Sequence, residues 1–230
     1  MTEPETDLRT RLMRAALVHV PFDGWSEAAF RAACADLGVD PALARAHCPR
    51  GAVDLALAFH AAGDAAMLVR LAETDLSALR FRDRVAAAIR FRLEAVEDRE
   101  AVRRGAALFA LPQHAADGAK AIWGTADAIW TALGDSSDDL NWYTKRASLS
   151  AVYASTVLYW LGDDSPGHQA TWEFLDRRIE GVMAFEGAKA RLRANPLTRP
   201  FMAGQDWLAA RVHKPRGVED LPGRMGGGRM

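Results

Sequence analysis

The fold can be inferred from one stretch of the sequence, Ser26-Glu27-Ala28-Ala29-Phe30-Arg31-Ala32-Ala33-Cys34-Ala35-Asp36-Leu37-Gly38-Val39-Asp40-Pro41. Ser26 is a favourable N-cap for the helix that follows it. Gly38 ends that helix, and Asp40 with Pro41 caps and opens the next one. Two short helices joined by a tight turn that contains glycine are typical of a helix-turn-helix, so the sequence predicts this motif.

The sequence on both sides of this stretch also has the pattern of helices. Alanine is abundant, alternating β-branched residues are nearly absent, and apolar residues recur at intervals of three and four. The fold class is therefore predicted to be all-α. The expected helices cover residues 8–20, 28–37, 41–48, 52–71, 81–103, a segment capped by Asp117 that runs to 133, 140–161, 171–185 and 200–213.

The overall charge and composition exclude several classes of protein. A net charge of −1 over 230 residues lacks the positive field that a general nucleic-acid binder uses. Cys34 and Cys48 have neither metal-site nor redox spacing. The first residues lack the apolar run of a targeting segment, and residues 147–161, the most apolar stretch, contain serines and a threonine and fall short of the roughly 20 residues that span a bilayer. We therefore expect no transmembrane helix.

The second helix of the helix-turn-helix, residues 41–48, is poorly suited to reading DNA. A recognition helix needs several side chains that reach base edges, usually Arg, Lys, Asn, Gln or Ser. Only Arg45 and His47 meet this need. We therefore expect the motif to act as a packing unit, with no nucleic acid among the partners.

A second informative stretch covers residues 134–146. Gly134 ends a helix, and Ser136 followed by Asp139 has the spacing of a capping box, so a new helix is predicted to start here. Helical spacing then places four side chains on one face: Asp139, Trp142, Tyr143 and Arg146. Such a stripe fits the centre of a binding interface. It also fits a half-buried Trp/Tyr pair whose edge Arg146 covers.

Two further predicted helices have apolar residues whose arrangement indicates what each helix packs against. Past Arg146, the apolar residues of the helix at 140–161 point in all directions, which predicts a central helix buried on every side. In the last helix, large apolar residues fall on or beside one narrow face: Phe201, Met202, Leu208 and Val212. Such a helix either docks on the body of the protein or lies in a membrane interface.

Catalytic chemistry is not evident in the sequence. The six histidines are scattered over different segments, without the spacing of a zinc or di-iron site. No glycine-rich phosphate loop follows a strand, because no strand is predicted. We therefore expect a protein that is not an enzyme, with no catalytic residue, no metal site and no cofactor.

Two resemblances to known families give these patterns a meaning. The order of a leading helix, a Gly24-Trp25 turn and Ala32-Ala33-x-Ala35-x-Leu37-Gly38-Val39 resembles the DNA-binding head of TetR-type regulators. The string Asn141-Trp142-Tyr143-Thr144-Lys145-Arg146, followed by Thr171-Trp172-x-Phe174-Leu175, is similar to the Coq-nine family of ubiquinone-biosynthesis accessory proteins. That family is TetR-like in fold, dimeric and non-enzymatic. Its members hold an isoprenoid lipid in a helical cavity and present a quinone precursor to a ring hydroxylase at the membrane.

The resemblance implies an organisation in four parts. These are a TetR-like head with a degenerate helix-turn-helix at 1–71, a helical ligand-binding and dimerisation region at 72–190, an amphipathic C-terminal helix at 191–214 and a disordered tail at 215–230. It implies a homodimer that is cytoplasmic and attached peripherally to the inner face of the cytoplasmic membrane. The alternative function is that of a TetR-type ligand-responsive transcriptional regulator.

The resemblance also assigns roles to residues. The bound isoprenoid quinone precursor or phospholipid would contact Trp130, Leu149, Tyr153, Leu158, Phe174 and Met183. The hydroxylase would contact Trp142, Tyr143, Arg146 and Ile129. The membrane surface would contact Phe201, Met202, Leu208 and Val212.

Overall fold

The computed structural model describes residues 7–136 and 140–194, with the side chains of residues 7–136 and 142–182. No strand occurs in these ranges, so the predicted all-α fold is confirmed. The helices are α1 Leu8–Ala16, α2 Val20–Asp23, α3 Glu27–Asp36, α4 Pro41–His47, α5 Ala52–Glu73, α6 Phe81–Glu94, α7 Arg99–Phe109, α8 Ala115–Ala132, α9 Leu140–Leu161 and α10 Gln169–Ala194, with a 3-10 turn Pro166–His168 before α10.

The helix-turn-helix forms with the caps that the sequence predicts. The Ser26 hydroxyl accepts a hydrogen bond from the backbone N–H of Ala29 at 3.3 Å, at the start of α3. The Asp40 carboxylate accepts one from the backbone N–H of Ala42 at 2.7 Å, at the start of α4. Gly38 has a φ of 61°, which a residue with a side chain rarely adopts. Local sequence thus determines the turn between α3 and α4.

Two hydrophobic cores follow one another along the chain, and α5 contributes to both. The first joins α1 to α5 around fully buried Leu12, Phe30 and Leu55. The second joins the later part of α5 to α6, α8, α9 and α10 around Met67 and Ile89. Among the described helices, α5 has the length and apolar composition of a membrane span, but it packs against α1, α6 and α8. About a third of this apolar stretch, 33%, is buried in the two cores, whereas Val69 is 57% exposed.

The predicted single helix over residues 81–103 is wrong, because α6 and α7 are separate. Asp98 caps α7, and its carboxylate accepts hydrogen bonds from the backbone N–H groups of Glu100 at 2.8 Å and Ala101 at 3.2 Å. The predicted capping role of Asp117 is also wrong, since α8 begins at Ala115. Asp117 instead accepts hydrogen bonds from the Arg50 guanidinium at 2.9 Å.

The expectation that α9 is buried on every side holds for only part of the helix. Leu149, Val152 and Tyr153 are buried, but Leu158 is 65% exposed and Tyr159 is 40% exposed. The next helix, α10, extends to Ala194, past its predicted end at residue 185. The predicted C-terminal helix, with Phe201, Met202, Leu208 and Val212, and the tail at 215–230 lie outside the described residues.

Candidate functional site

The side chains of α5, α6, α7, α8 and α9 line a partly open cavity of about 420 Å³, which we call the inner cavity. Its volume falls within the range of small-molecule sites, about 300–1,000 Å³. Most of its lining is apolar and includes Phe59, Leu93, Val96, Val102, Phe109, Ile122, Val157 and Leu158. A cavity with this lining suits an apolar ligand, because each apolar surface that it covers is removed from water.

A hydrogen-bonded network lies at one side of the inner cavity. His60 and Arg92 line the cavity, while Asp64 and Thr125 lie behind them. The Nε2 of His60 is 2.8 Å from the Thr125 hydroxyl oxygen, and that hydroxyl donates to the Asp64 carboxylate at 3.0 Å. The Arg92 Nε donates to Asp64 at 2.6 Å, and its Nη2 donates to the His60 carbonyl at 3.0 Å. The network therefore joins α5, α6 and α8.

The fifth member of this region is Tyr153 on α9. Its ring packs edge-on against the His60 imidazole, with 6.4 Å between the ring centroids. Burial raises the pKa of the Tyr153 phenol, so the hydroxyl keeps its proton at neutral pH. Burial also lowers the pKa of His60, which favours the neutral imidazole. The charges of Arg92 and Asp64 cancel, so this side of the inner cavity is polar but carries no net charge.

A second cavity of about 550 Å³ lies between α6, α9, α10 and the loop after α8. Trp130 lines it, stacks on Phe81 with 5.4 Å between centroids, and donates its indole N–H to the Lys145 carbonyl at 3.1 Å. Leu149 and Val152 line the same cavity from α9. Since Tyr153 lines the inner cavity, α9 forms a wall of both.

The six residues predicted to bind lipid therefore do not all line the same cavity. Tyr153 and Leu158 line the inner cavity, whereas Trp130 and Leu149 line the second one. Phe174 lines neither, because its ring stacks on Tyr159 at 4.5 Å. The Met183 side chain lies outside those that the structure describes. The sequence did not point to His60 or Arg92, whose shared position depends on the packing of α5 against α6.

An aromatic cluster, Trp123, Trp142 and Tyr143, lies where α8 meets the start of α9. All three side chains are half-buried. The centroid of Trp142 is 4.8 Å from that of Tyr143 and 5.9 Å from that of Trp123. Trp123 was not predicted to belong here, because it comes from the preceding helix and no local spacing connects it to Trp142. The cluster offers partly exposed aromatic surface of the kind found in protein interfaces.

Arg146 was expected to contact the hydroxylase, but its burial contradicts this, because Arg146 is only 2% exposed. Its Nε donates to Asp127 at 2.5 Å and its Nη1 donates to Asp135 at 3.0 Å. Its guanidinium carbon lies 4.0 Å from the centroid of Trp142. The arrangement matches the other interpretation, a half-buried Trp/Tyr pair with Arg146 beneath it. Asp139, the first residue of the stripe, lies outside the described residues.

Ile129 was also expected to contact a partner, and its burial contradicts this. Its side chain is fully buried in the second core, on the inward face of α8. The aromatic cluster therefore keeps Trp142 and Tyr143 from the predicted set and adds Trp123. Arg146 packs its guanidinium against the Trp142 ring of the cluster, and Ile129 is part of the second hydrophobic core.

Comparisons with known proteins identify the family that this chain resembles. Residues 115–186 match the COQ9 family. The chain is 33% identical over 198 residues to the "Ubiquinone biosynthesis protein COQ9, mitochondrial" of Drosophila melanogaster, covering 80% of this chain and 60% of the relative. It is 31% identical over 192 residues to the protein of the same name from Homo sapiens, covering 79% and 59%. The chain thus spans about three fifths of the length of these curated relatives, and the resemblance that the sequence indicated is confirmed.

The fold has a counterpart among solved structures. A TetR transcriptional regulator from Nitrosomonas europaea ATCC 19718 superimposes with a TM-score of 0.60 and 19% sequence identity. The match covers 76% of this chain and 96% of the regulator. The predicted TetR-like fold is therefore confirmed, and the similarity at this level of identity concerns the fold alone.

Proposed function

Because this chain is a relative of the COQ9 proteins of ubiquinone biosynthesis, we propose that it is a non-catalytic, lipid-binding accessory protein of that pathway. In this proposal it binds an isoprenoid quinone precursor at the membrane and presents it to a ring hydroxylase. The family similarity indicates a role in ubiquinone biosynthesis. The lipid and the hydroxylase are the parts of the proposal that the experiments below address.

The observation that carries the proposal is the inner cavity. Its volume of about 420 Å³ and its largely apolar lining suit the ring and the first part of an isoprenoid tail. Covering roughly 200 Å² of apolar ligand surface would stabilise the complex by about 5 kcal/mol. A gain of this size lets a protein cavity compete with a bilayer for part of the lipid. The rest of a long tail would leave past Leu158, the large apolar residue of the lining that is exposed.

The proposal places the protein at the inner face of the cytoplasmic membrane, as a homodimer attached peripherally. Phe201, Met202, Leu208 and Val212 would dip into the interface, where the apolar face of an amphipathic helix is buried among the lipids. No further cofactor is needed, because the ring chemistry belongs to the hydroxylase.

Lipid extraction tests the central part of the proposal. The protein is purified from a host that makes ubiquinone and extracted with organic solvent, and the extract is analysed by mass spectrometry. We expect an isoprenoid quinone precursor or a phospholipid in stoichiometric amount. A variant with a narrowed cavity, Ala154→Phe, is the matched control and should retain much less lipid, since Ala154 lines the inner cavity. Purified protein without any bound lipid would contradict the proposal.

Replacing Trp142 with alanine is expected to weaken capture of the ring hydroxylase by at least about tenfold, because central aromatic residues dominate interface energies. Trp142 is half-buried, so the free energy of unfolding should also fall, by about 1–2 kcal/mol, through lost contacts with Trp123 and Tyr143. Binding is measured by surface plasmon resonance at a temperature at which the variant is fully folded.

Phe22→Ala is the matched control for this measurement. Phe22 is an aromatic residue that is 85% exposed, and it lies on α2 in the head. Its removal should leave capture of the hydroxylase unchanged. Equal binding by wild type and Trp142→Ala would show that the aromatic cluster is not the docking surface.

The alternative function, a ligand-responsive regulator, is not supported by the geometry of the head. Of the two residues on α4 able to reach bases, Arg45 is held in an ion pair with Glu27 and lies over the Phe30 ring at 4.8 Å. Leu43 on the same helix is 53% exposed and has no hydrogen-bonding group in its side chain. A regulator would bind a specific duplex in a salt-sensitive way, whereas we expect no such binding.

A further inference from the structure

Helix α6 begins with three arginines, which we call the arginine cluster. Arg80 is the N-cap of the helix, and Arg82 and Arg84 lie in its first turn. The N-terminal end of a helix carries a partial positive charge, so anions stabilise it and cations destabilise it. Local rules of this kind are broken chiefly at functional sites. The arginine cluster therefore indicates that this end of α6 meets negative charge from another molecule.

The acidic residue within the arginine cluster does not neutralise it. Asp83 pairs with Arg80 at 2.8 Å and with Arg82 at 3.2 Å, so one carboxylate serves two guanidinium groups. The guanidinium of Arg84 lies 5.7 Å from the centroid of the Phe81 ring. Its Nε is buried, and no group in the described part of the chain accepts a hydrogen bond from it. Three arginines and one aspartate leave two positive charges in excess at this end of α6.

The second cavity opens beside the arginine cluster. Arg82 lines it from α6, and Lys145 lines it from α9. The Lys145 ammonium is 2.7 Å from the Asp135 carboxylate, which is also 3.0 Å from the Arg146 guanidinium, so this acidic group is balanced. The Arg82 side chain is 36% exposed and reaches Asp83 through its Nε. Arg82 is therefore a cation of the lining that an anionic ligand can reach from solvent.

The deep part of the second cavity is aliphatic. The two aromatic rings of its lining, Phe81 and Trp130, stack on each other with 5.4 Å between centroids. What remains for a ligand is a set of side chains that are at most 7% exposed: Val85, Leu149, Val152 and Ile179. A flexible hydrocarbon chain suits such a surface, because both are removed from water when they meet. The volume of about 550 Å³ is large enough for a small molecule.

We propose that the second cavity binds a single-chain carboxylate of the fatty-acid class, with its carboxylate on Arg82 and its chain on the aliphatic side chains. A carboxylate matches the planar fork of a guanidinium, and its charge compensates the arginine cluster. The site is separate from the inner cavity, because adjacent residues of α9 line different cavities, Val152 the second and Tyr153 the inner one. The inference goes beyond the proposed function and does not depend on it.

The test uses three probes with the same ten-carbon chain: decanoate, decanol and decylammonium. Their binding to the full chain is measured by isothermal titration calorimetry. We expect decanoate to bind at least about tenfold tighter than decanol, because hydrogen bonds between charged groups are stronger than those between neutral ones. Decylammonium should bind most weakly. Added salt should reduce the preference for decanoate, because the Arg82 side chain is 36% exposed and its charge can be screened.

The variant Arg82→Gln removes the positive charge that we assign to the carboxylate. It should reduce the preference for decanoate over decanol by about 3- to 10-fold, with the affinity for decanol unchanged. The variant should fold, because Asp83 keeps its pair with Arg80. Arg80→Gln is the matched control. Arg80 pairs with the same Asp83, but its side chain is 73% exposed and does not line the cavity, so most of the preference should remain.

Two variants that fill space identify the cavity in which decanoate binds. Ser148 lines the second cavity, so Ser148→Phe should abolish tight binding of decanoate. Ala154 lines the inner cavity, so Ala154→Phe should leave this binding unchanged. The pair also separates this inference from the proposed function, for which Ala154→Phe is the variant that loses its lipid.

Several results would overturn the carboxylate site. These are the absence of decanoate binding, equal affinities for decanoate and decanol, and an unchanged preference in Arg82→Gln. Loss of decanoate binding in Ala154→Phe, with binding retained in Ser148→Phe, would place the ligand in the inner cavity and would also contradict the inference. None of these results changes the outcome of the lipid extraction, which tests the proposed function by itself.

Discussion

Replacing Arg146 with methionine is expected to lower the free energy of unfolding by about 3–5 kcal/mol, the range measured when one partner of a buried ion pair is removed. Arg146 is 2% exposed, and the side chain of its partner Asp135 is equally buried. Methionine keeps much of the packing of the arginine stem but leaves Asp135 with one fewer compensating charge. The Lys145 ammonium, 2.7 Å from Asp135, compensates only in part.

The change also removes the cation that lies 4.0 Å from the Trp142 ring centroid. This contact adds up to about 2 kcal/mol when it is shielded from water. The measurement is urea unfolding followed by circular dichroism, with the slope checked for two-state behaviour. Loss of hydroxylase capture in the variant would therefore reflect a displaced aromatic cluster, since the guanidinium itself is covered.

The control for Arg146→Met is Arg31→Met. Arg31 pairs with Glu27 at 3.1 Å, but its side chain is 72% exposed. A surface pair of this kind contributes about 0–1 kcal/mol, so the control should unfold almost like wild type. A loss of less than 1 kcal/mol in Arg146→Met would mean that Arg146 is accessible to water, and its original assignment to a partner surface would be restored.

Replacing Gly63 with alanine is expected to destabilise the protein by about 2–4 kcal/mol, although alanine favours helix by about 1 kcal/mol over glycine. Gly63 lies in α5, and a Cβ built on it would collide with the guanidinium of Arg92. That guanidinium is held between Asp64 and the His60 carbonyl. The new methyl group must therefore break a buried ion pair or push α5 away from α6.

Gly124→Ala is the matched control, because Gly124 lies in α8 with no atom within 4 Å of a built Cβ. This variant should be more stable than wild type by about 0.5–1 kcal/mol, from helix propensity alone. Thermal unfolding of both variants tests the sign of the difference. Stabilisation by Gly63→Ala would show that Arg92 can leave Asp64 at little cost.

Local features of the fold could be predicted from the sequence, whereas features that depend on distant residues could not. The caps at Ser26 and Asp40 involve partners within three residues, so spacing alone identified them. The burial of Arg146 depends on Asp127, which is 19 positions earlier in α8. Nothing near Arg146 in the sequence distinguishes a guanidinium that faces a partner from one that faces a buried carboxylate.

The same contrast between local features and features that depend on distant residues applies to the candidate site. Trp142 and Tyr143 were predicted because helical spacing puts them on one face and residues 141–146 resemble a known family. Trp123 was not predicted, because it comes from the preceding helix. The inner cavity is formed by five helices, and His60 and Arg92 meet there although 32 positions separate them. The break between α6 and α7 rests on the Asp98 cap, a single side chain within a long run of helix-favouring residues.

Helix α9 carries Trp142 and Tyr143 in its first turn and forms a wall of both cavities further along. Tyr143 and Tyr153 are thus about 15 Å apart along one continuous helix, at 1.5 Å per residue. By thermodynamic linkage, if hydroxylase docking changes the affinity for the lipid by some factor, lipid binding changes the affinity for the hydroxylase by the same factor. In the proposed function, α9 is therefore the element that the lipid cavity and the docking surface share.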